Sequence, residues 1–141
     1  MPSIAQAAAI DTGSDGIIAM FAALPDLVNA DIDLVRRGRF LTTEFEIGVG
    51  RLPLHVSIVA GQVCAVTKGP FLLKPWVFAL RAEAATWGQL LEPVPAPGFH
   101  DLLALSKRGL LAIEGNLQPF MANLQYVKDV VTAPRARTAR R

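Results

Sequence analysis

Apolar residues follow a helical period at both ends of this chain and a two-residue period in its middle. Ile17, Met20, Phe21 and Leu24 recur at helical spacing, which predicts a helix over Ile17–Val28 that Pro25 kinks or ends. A second helix is predicted over Asn29–Arg39, with Ile32 and Val35 inward, Arg36, Arg37 and Arg39 in solvent, and Gly38 as terminator. Over Phe40–Gly48 the period changes. Leu41, Thr43, Phe45 and Ile47 point one way, and Thr42, Glu44 and Glu46 the other. Gly48-Val49-Gly50-Arg51 reads as a turn. Leu54, Val56, Ile58 and Ala60 then alternate with His55, Ser57 and Val59, and after Ala60-Gly61-Gln62 a third strand runs over Val63–Thr67. Sequential strands joined by short turns make an antiparallel meander.

Lys68–Pro75 is a loop set by Pro70 and Pro75. Trp76, Phe78, Leu80 and Ala82 alternate with Val77, Ala79, Arg81 and Glu83 as a fourth strand. Glu83–Leu91 reads as a helix with Trp87, Leu90 and Leu91 inward, Pro93–Pro97 as a stiff connector, and Phe99–Lys107 as a short helix closed by Gly109. The stretch Gly109–Val131 organises the rest. Leu111 and Ile113 alternate with Ala112 and Glu114, Gly115 supplies a turn, Asn116 is a good N-cap, and Pro119 falls in the first helical turn, where its missing N–H costs no bond. Leu117, Phe120, Met121, Leu124, Val127 and Val131 then predict one long amphipathic helix.

The run Gly109-Leu110-Leu111-Ala112-Ile113-Glu114-Gly115-Asn116, followed by a helix with the apolar step Phe120-Met121, resembles the last strand and helix of sterol carrier protein 2-like domains. The resemblance extends over about Ile17–Val131. An acidic Asp-Gly hairpin of that family is replaced here by Ala60-Gly61. The expected fold is α/β (α+β): a mixed, mainly antiparallel sheet of about five strands with helices on one side. The resemblance implies that the closing helix lines an apolar tunnel. The residues expected to line it are Phe45, Ile47, Val56, Ile58, Trp76, Phe78, Trp87, Phe120, Met121 and Leu124. An ordinary closed core would use the same side chains.

Composition adds two facts. Hydrophobic residues make up 52% of the chain and its mean hydropathy is +0.37, an excess that needs a partner, a cavity or a membrane surface as outlet. No apolar run approaches the roughly 20 residues that span a bilayer, and no secretory signal opens the chain. The net charge of +2 falls to −2 once Arg135, Arg137, Arg140 and Arg141 are set aside. The organisation expected is therefore a leader over 1–16, a domain over 17–131 and a basic, disordered tail over 132–141. That tail has no aromatics and does not point to nucleic acid. It could touch a membrane surface transiently.

Candidate chemistry is sparse. His55 on the polar face of its strand can pair with Glu44 or Glu46, which would suit a small hydrolase or isomerase, although a surface cross-strand pair uses the same residues. His100-Asp101 could hold a metal or a base, or simply charge a helix start. Cys64 is expected as a small buried hydrophobe, and a lone cysteine suits the cytoplasm. No metal site, cofactor fingerprint or catalytic residue is expected. The expectation is a non-enzymatic carrier of a sterol, fatty acyl chain or isoprenoid lipid. The alternatives are an accessory factor presenting a lipid intermediate, such as a quinone precursor, to biosynthetic enzymes, the small enzyme just described, and a domain that dimerises through its apolar surface.

Overall fold

The computed structural model describes residues 14–71 and 74–135. At its start two helices stand where one kinked helix is expected: residues 14–22 (α1) and Leu24–Asn29 (α2). Their break falls at Ala23, ahead of Pro25, which sits in the first turn of α2 and costs no hydrogen bond there. Asp31 caps α3 (Ile32–Arg37), its side chain accepting from the Leu34 amide at 3.1 Å. Because the cap stands in solvent, Ile32 beside it is 71% exposed and Leu34 takes the inward place instead. That corrects the expected orientation of α3.

Five strands follow: β1 (Thr43–Val49), β2 (Leu52–Val59), β3 (Gln62–Lys68), β4 (Phe78–Ala82) and β5 (Leu111–Gly115). They form one sheet in the order β3-β2-β1-β4-β5. The β1–β4 pairing is parallel and the others antiparallel, so the sheet is mixed and mainly antiparallel, as expected. Register fixes the faces. Phe45 lies opposite Val56 and Phe78, and Ile47 opposite Leu54 and Leu80, so one face is continuously apolar. The chain covers that face with α1 to α3, α4 (Ala84–Leu90), α5 (Leu102–Lys107) and the closing segment. Helix α5 starts at Leu102 rather than Phe99, after Gly98 with its φ of +87°.

The opposite face is more enclosed than its polarity suggests. Arg81 bridges two carboxylates there, its Nη1 donating to Glu46 at 2.6 Å and its Nε to Glu114 at 2.9 Å. Burial opposes the guanidinium charge, but the bonds to Glu114 and Glu46 outweigh it and raise the Arg81 pKa. Glu46 is only 6% exposed, although its strand position reads as solvated. Cys64 departs in the other sense. Ser57 pairs with Ala65 but Ile58 with Val63, so Cys64 is the extra residue of a β-bulge and its thiol is exposed rather than buried.

The closing segment is two helices, not one: α6 (Leu117–Ala122) and α7 (Leu124–Val131). Asn116 caps α6 as expected, accepting from the Gln118 amide at 3.1 Å. The break is at Asn123, whose backbone (φ −124°, ψ 32°) leaves the helical region while its side-chain amide donates to the Pro119 carbonyl at 3.0 Å. Thr132–Arg135 also belong to the folded part rather than to a free tail. Arg135 donates from Nε to the Leu90 carbonyl at 3.0 Å, and from Nη2 to the same oxygen. Residues 1–13 of the expected leader and 136–141 of the expected tail lie outside the described residues.

Helix α7 is pinned by polar contacts as well as packing. Asp129 pairs with Arg37 at 2.7 Å, Lys128 with Asp101 at 2.7 Å, and the buried Tyr126 hydroxyl donates to the Gly61 carbonyl at 2.6 Å. Burial pushes the Tyr126 hydroxyl from 10.0 up to about 12. A raised value in the fold means that the neutral phenol is favoured there, so its contribution is intact below pH 10 and lost as pH rises from 10 through about 12. Tyr126→Phe is expected to cost about 1–3 kcal/mol at neutral pH, because the Gly61 carbonyl loses its partner, and to flatten the loss of stability above pH 10. Denaturant melts of both proteins between pH 7 and 12 test this.

Candidate ligand-binding site

Strand alternation sends Phe45 and Ile47 from β1, Val56 and Ile58 from β2, and Phe78 and Leu80 from β4 to one face, all fully buried. Phe45 and Phe78 stack with ring centroids 4.9 Å apart and an interplanar angle of 5°. Phe120 of α6 closes over this floor, its ring 5.4 Å from that of Phe78 and tilted by 57°. Trp87 forms a side wall. It meets Phe21 edge-on at 5.2 Å, and its indole N–H donates to the Gly48 carbonyl at 2.9 Å. The result is an uncharged aromatic and aliphatic layer between sheet and closing helices.

Seven of the expected ligand residues meet in this layer: Phe45, Ile47, Val56, Ile58, Phe78, Trp87 and Phe120. Leu124 is half-buried at the start of α7. Two others lie elsewhere. Trp76 precedes the regular part of β4, and its ring lies 5.4 Å from the Arg81 guanidinium, on the side of the sheet that carries Glu46 and Glu114. Met121 points outward and is 52% exposed, as is Leu117 at 40%, because the interruption at Asn123 turns α6 so that Phe120 alone of its side chains is fully buried. Phe21 and Leu80 belong to the layer but are absent from the expected set. The helical spacing of Phe21 and the strand parity of Leu80 carried the signal.

The other sequence candidates do not assemble into a constellation. His55 is buried rather than on an open surface; its Nε2 lies 3.2 Å from the Pro75 carbonyl and 3.7 Å from the Glu44 carboxylate, while Glu46 is taken up by Arg81. His100 is exposed, and its neighbour Asp101 is paired with Lys128. Among the described residues no three His, Cys, Asp or Glu side chains gather as a metal ion would require. An open groove of about 810 Å³ runs between α2–α3 and α7, past Leu27, Ile32, Leu34, Asp33 and Asp129. None of the expected ligand residues lines it.

The chain is similar to the crystal structure of sterol carrier protein 2, with 17% sequence identity and a TM-score of 0.66 over 83% of this chain and 94% of the other. It has the sterol carrier protein 2 fold. The same fold relates it to the conserved hypothetical protein TT1886 from Thermus thermophilus, at 16% identity and a TM-score of 0.59 over 84% of this chain and 85% of that one. It relates it also to the UbiJ-SCP2 ubiquinone synthesis protein, at 17% identity and a TM-score of 0.54 over 86% of this chain and 94% of that one. No protein-family model and no curated protein sequence matches the chain. Within this sterol carrier protein 2 fold the closing helices lie over the apolar face of the sheet, and no helix of the described residues is long and apolar enough to cross a membrane.

Proposed function

We propose that the protein binds one apolar ligand between the inner face of its sheet and the closing helices, and carries it without making or breaking a bond. The observation that carries this reading is the uncharged layer of Phe45, Phe78 and Phe120 under a short helix, α6, that buries a single side chain. A ligand that parts α6 from the sheet displaces little and gains much, because each Å² of apolar surface removed from water is worth about 25 cal/mol. The fold it shares with sterol carrier protein 2 supports lipid carriage, with sterols, fatty acyl chains, acyl-CoA and isoprenoid lipids as the class. In this reading Met121 and Leu124 border the entrance, Trp76 braces the loop before β4, and the setting is cytoplasmic, where the exposed Cys64 stays reduced.

A second reading rests on the likeness to the UbiJ-SCP2 ubiquinone synthesis protein: the bound molecule is a lipid intermediate, such as a quinone precursor, offered to a biosynthetic enzyme. Both readings share the site and differ in the partner.

Titration of the purified protein with a fluorescent fatty acid or sterol tests the shared part. Saturable binding near one ligand per chain is expected, with the ligand recovered unchanged after prolonged incubation. Failure to saturate, or chemical conversion of the ligand, would contradict it.

A further inference from the structure

On the three central strands, β2, β1 and β4, the inner face of the sheet is apolar with one exception. Thr43 opens β1 opposite Ile58 and shares its face with Phe45 and Ile47 by strand alternation. It is 8% exposed. Among the described residues its Oγ1 is the buried side-chain polar atom that finds no hydrogen-bond partner. Such an orphan is costly, and buried polar groups in folded proteins are otherwise nearly all paired. Other polar side chains of the fold show the contrast. Asn29 makes two bonds to the Val63 backbone, Thr42 accepts from the Ala60 amide, and Thr132 donates to the Lys128 carbonyl. A valine would fill the position of Thr43 with the same shape and no orphan.

Position gives the hydroxyl a purpose. Two residues along a strand is roughly 6.6–6.8 Å, so Thr43 lies one step beyond Phe45 on the floor of the proposed site, at the opposite end of β1 from Val49. A ligand lying on the Phe45–Phe78 stack and extending toward the start of β1 would bring one end to Oγ1. We infer that Thr43 recognises the single polar group of the ligand, and that the ligand is therefore an apolar chain or ring system bearing one hydroxyl or carbonyl oxygen rather than a pure hydrocarbon. The hydroxyl can donate to a carbonyl and can donate to or accept from an alcohol, so it fits either. Its flanking strand residues in the register, Ile58 and beyond it Val63, are apolar and bring no cation, which favours a neutral head over a carboxylate or phosphate. A site that offers a buried hydrogen bond discriminates against the analogue lacking the group, since its own polar atom is then left unpaired.

This inference rests on the carrier reading, and the test separates the two. A fluorescent polyene alcohol and the matching polyene hydrocarbon are titrated into the wild type, Thr43→Val and Thr43→Ser, with a denaturant melt of each protein. Thr43→Val is expected to weaken alcohol binding about fivefold to tenfold, the loss of one hydrogen bond, and to change hydrocarbon binding less than twofold. Thr43→Ser keeps the hydroxyl and should keep the discrimination. The valine variant should be at least as stable as the wild type, because the orphan is gone. Equal losses for both probes, or no loss for either, would overturn the role of Thr43 and leave carriage standing. A markedly destabilised valine variant would also overturn it, by showing that the hydroxyl is bonded within the fold. Absence of binding of either probe to the wild type would overturn the carrier reading and this inference with it.

Discussion

Gly61→Ala is expected to cost the protein most of its stability, about 3–5 kcal/mol. Gly61 and Ala60 form a two-residue hairpin turn in which both have positive φ, +82° and +50°, the geometry that matches the twist of the flanking strands. Space is the larger problem. A Cβ on Gly61 would stand 2.7 Å from the carbonyl carbon and 2.9 Å from the oxygen of Gly38, and closer still to the carbonyl oxygen of Val35. These are backbone atoms at the end of α3, so relief requires moving the helix away from the hairpin. The Tyr126 bond to the Gly61 carbonyl would move with it. Gly50→Ala is the comparison. Its φ of +59° is also unfavourable, but its Cβ would meet only the Glu83 carboxylate at 3.7 Å, so a loss near 1 kcal/mol is expected. A melt in which the two variants lose equal stability would show that turn strain, and not the junction with α3, sets the cost.

Much of this architecture was legible because strand alternation is strict. The parity of Phe45, Ile47, Val56, Ile58 and Phe78 put five floor residues on one face without knowledge of which strands pair. Parity failed where backbone regularity failed. Trp76 shares the parity of Phe78, yet the regular strand starts at Phe78, and Trp76, two residues ahead of it, turns to Arg81. Cys64 sits in a bulge that no local signal announces. The closing helix reads as continuous because Asn123 is neither glycine nor proline. The helix is interrupted where the Asn123 backbone leaves the helical region, with its side-chain amide on the Pro119 carbonyl, and Met121 lies at the surface instead of its expected inward place. The burial of Glu46 and the anchoring of Arg135 on the Leu90 carbonyl depend on partners 35 and 45 residues away, beyond what periodicity reports. The orphaned hydroxyl of Thr43 is invisible in sequence for the opposite reason: threonine suits a strand, and only the fold shows that nothing meets it.

Phe78→Ala should have the second large effect. The ring is fully buried, stacks on Phe45 and touches Phe120, so truncation removes the middle of the aromatic ladder. Phenylalanine-to-alanine changes in packed cores cost about 3–5 kcal/mol, and a similar loss is expected here. The consequence for function goes beyond stability. With the floor interrupted between Phe45 and Phe120, affinity for a fluorescent sterol should fall even at temperatures where the variant remains folded. Val131→Ala, equally buried but at the far end of α7, serves as the control: it should lose stability while keeping probe affinity. If both variants bound the probe as the wild type does, the ligand would have to sit away from the sheet, in the groove between α2–α3 and α7.

We propose that this fold holds an apolar molecule against the inner face of its sheet. Native mass spectrometry of the protein as purified, followed by solvent extraction and lipid analysis, tests it most directly. The expected result is a species heavier than the chain by the mass of one lipid, which extraction releases intact. A bare monomer that takes up no lipid on incubation, or a lipid-free dimer that covers the exposed Leu117 and Met121, would contradict it.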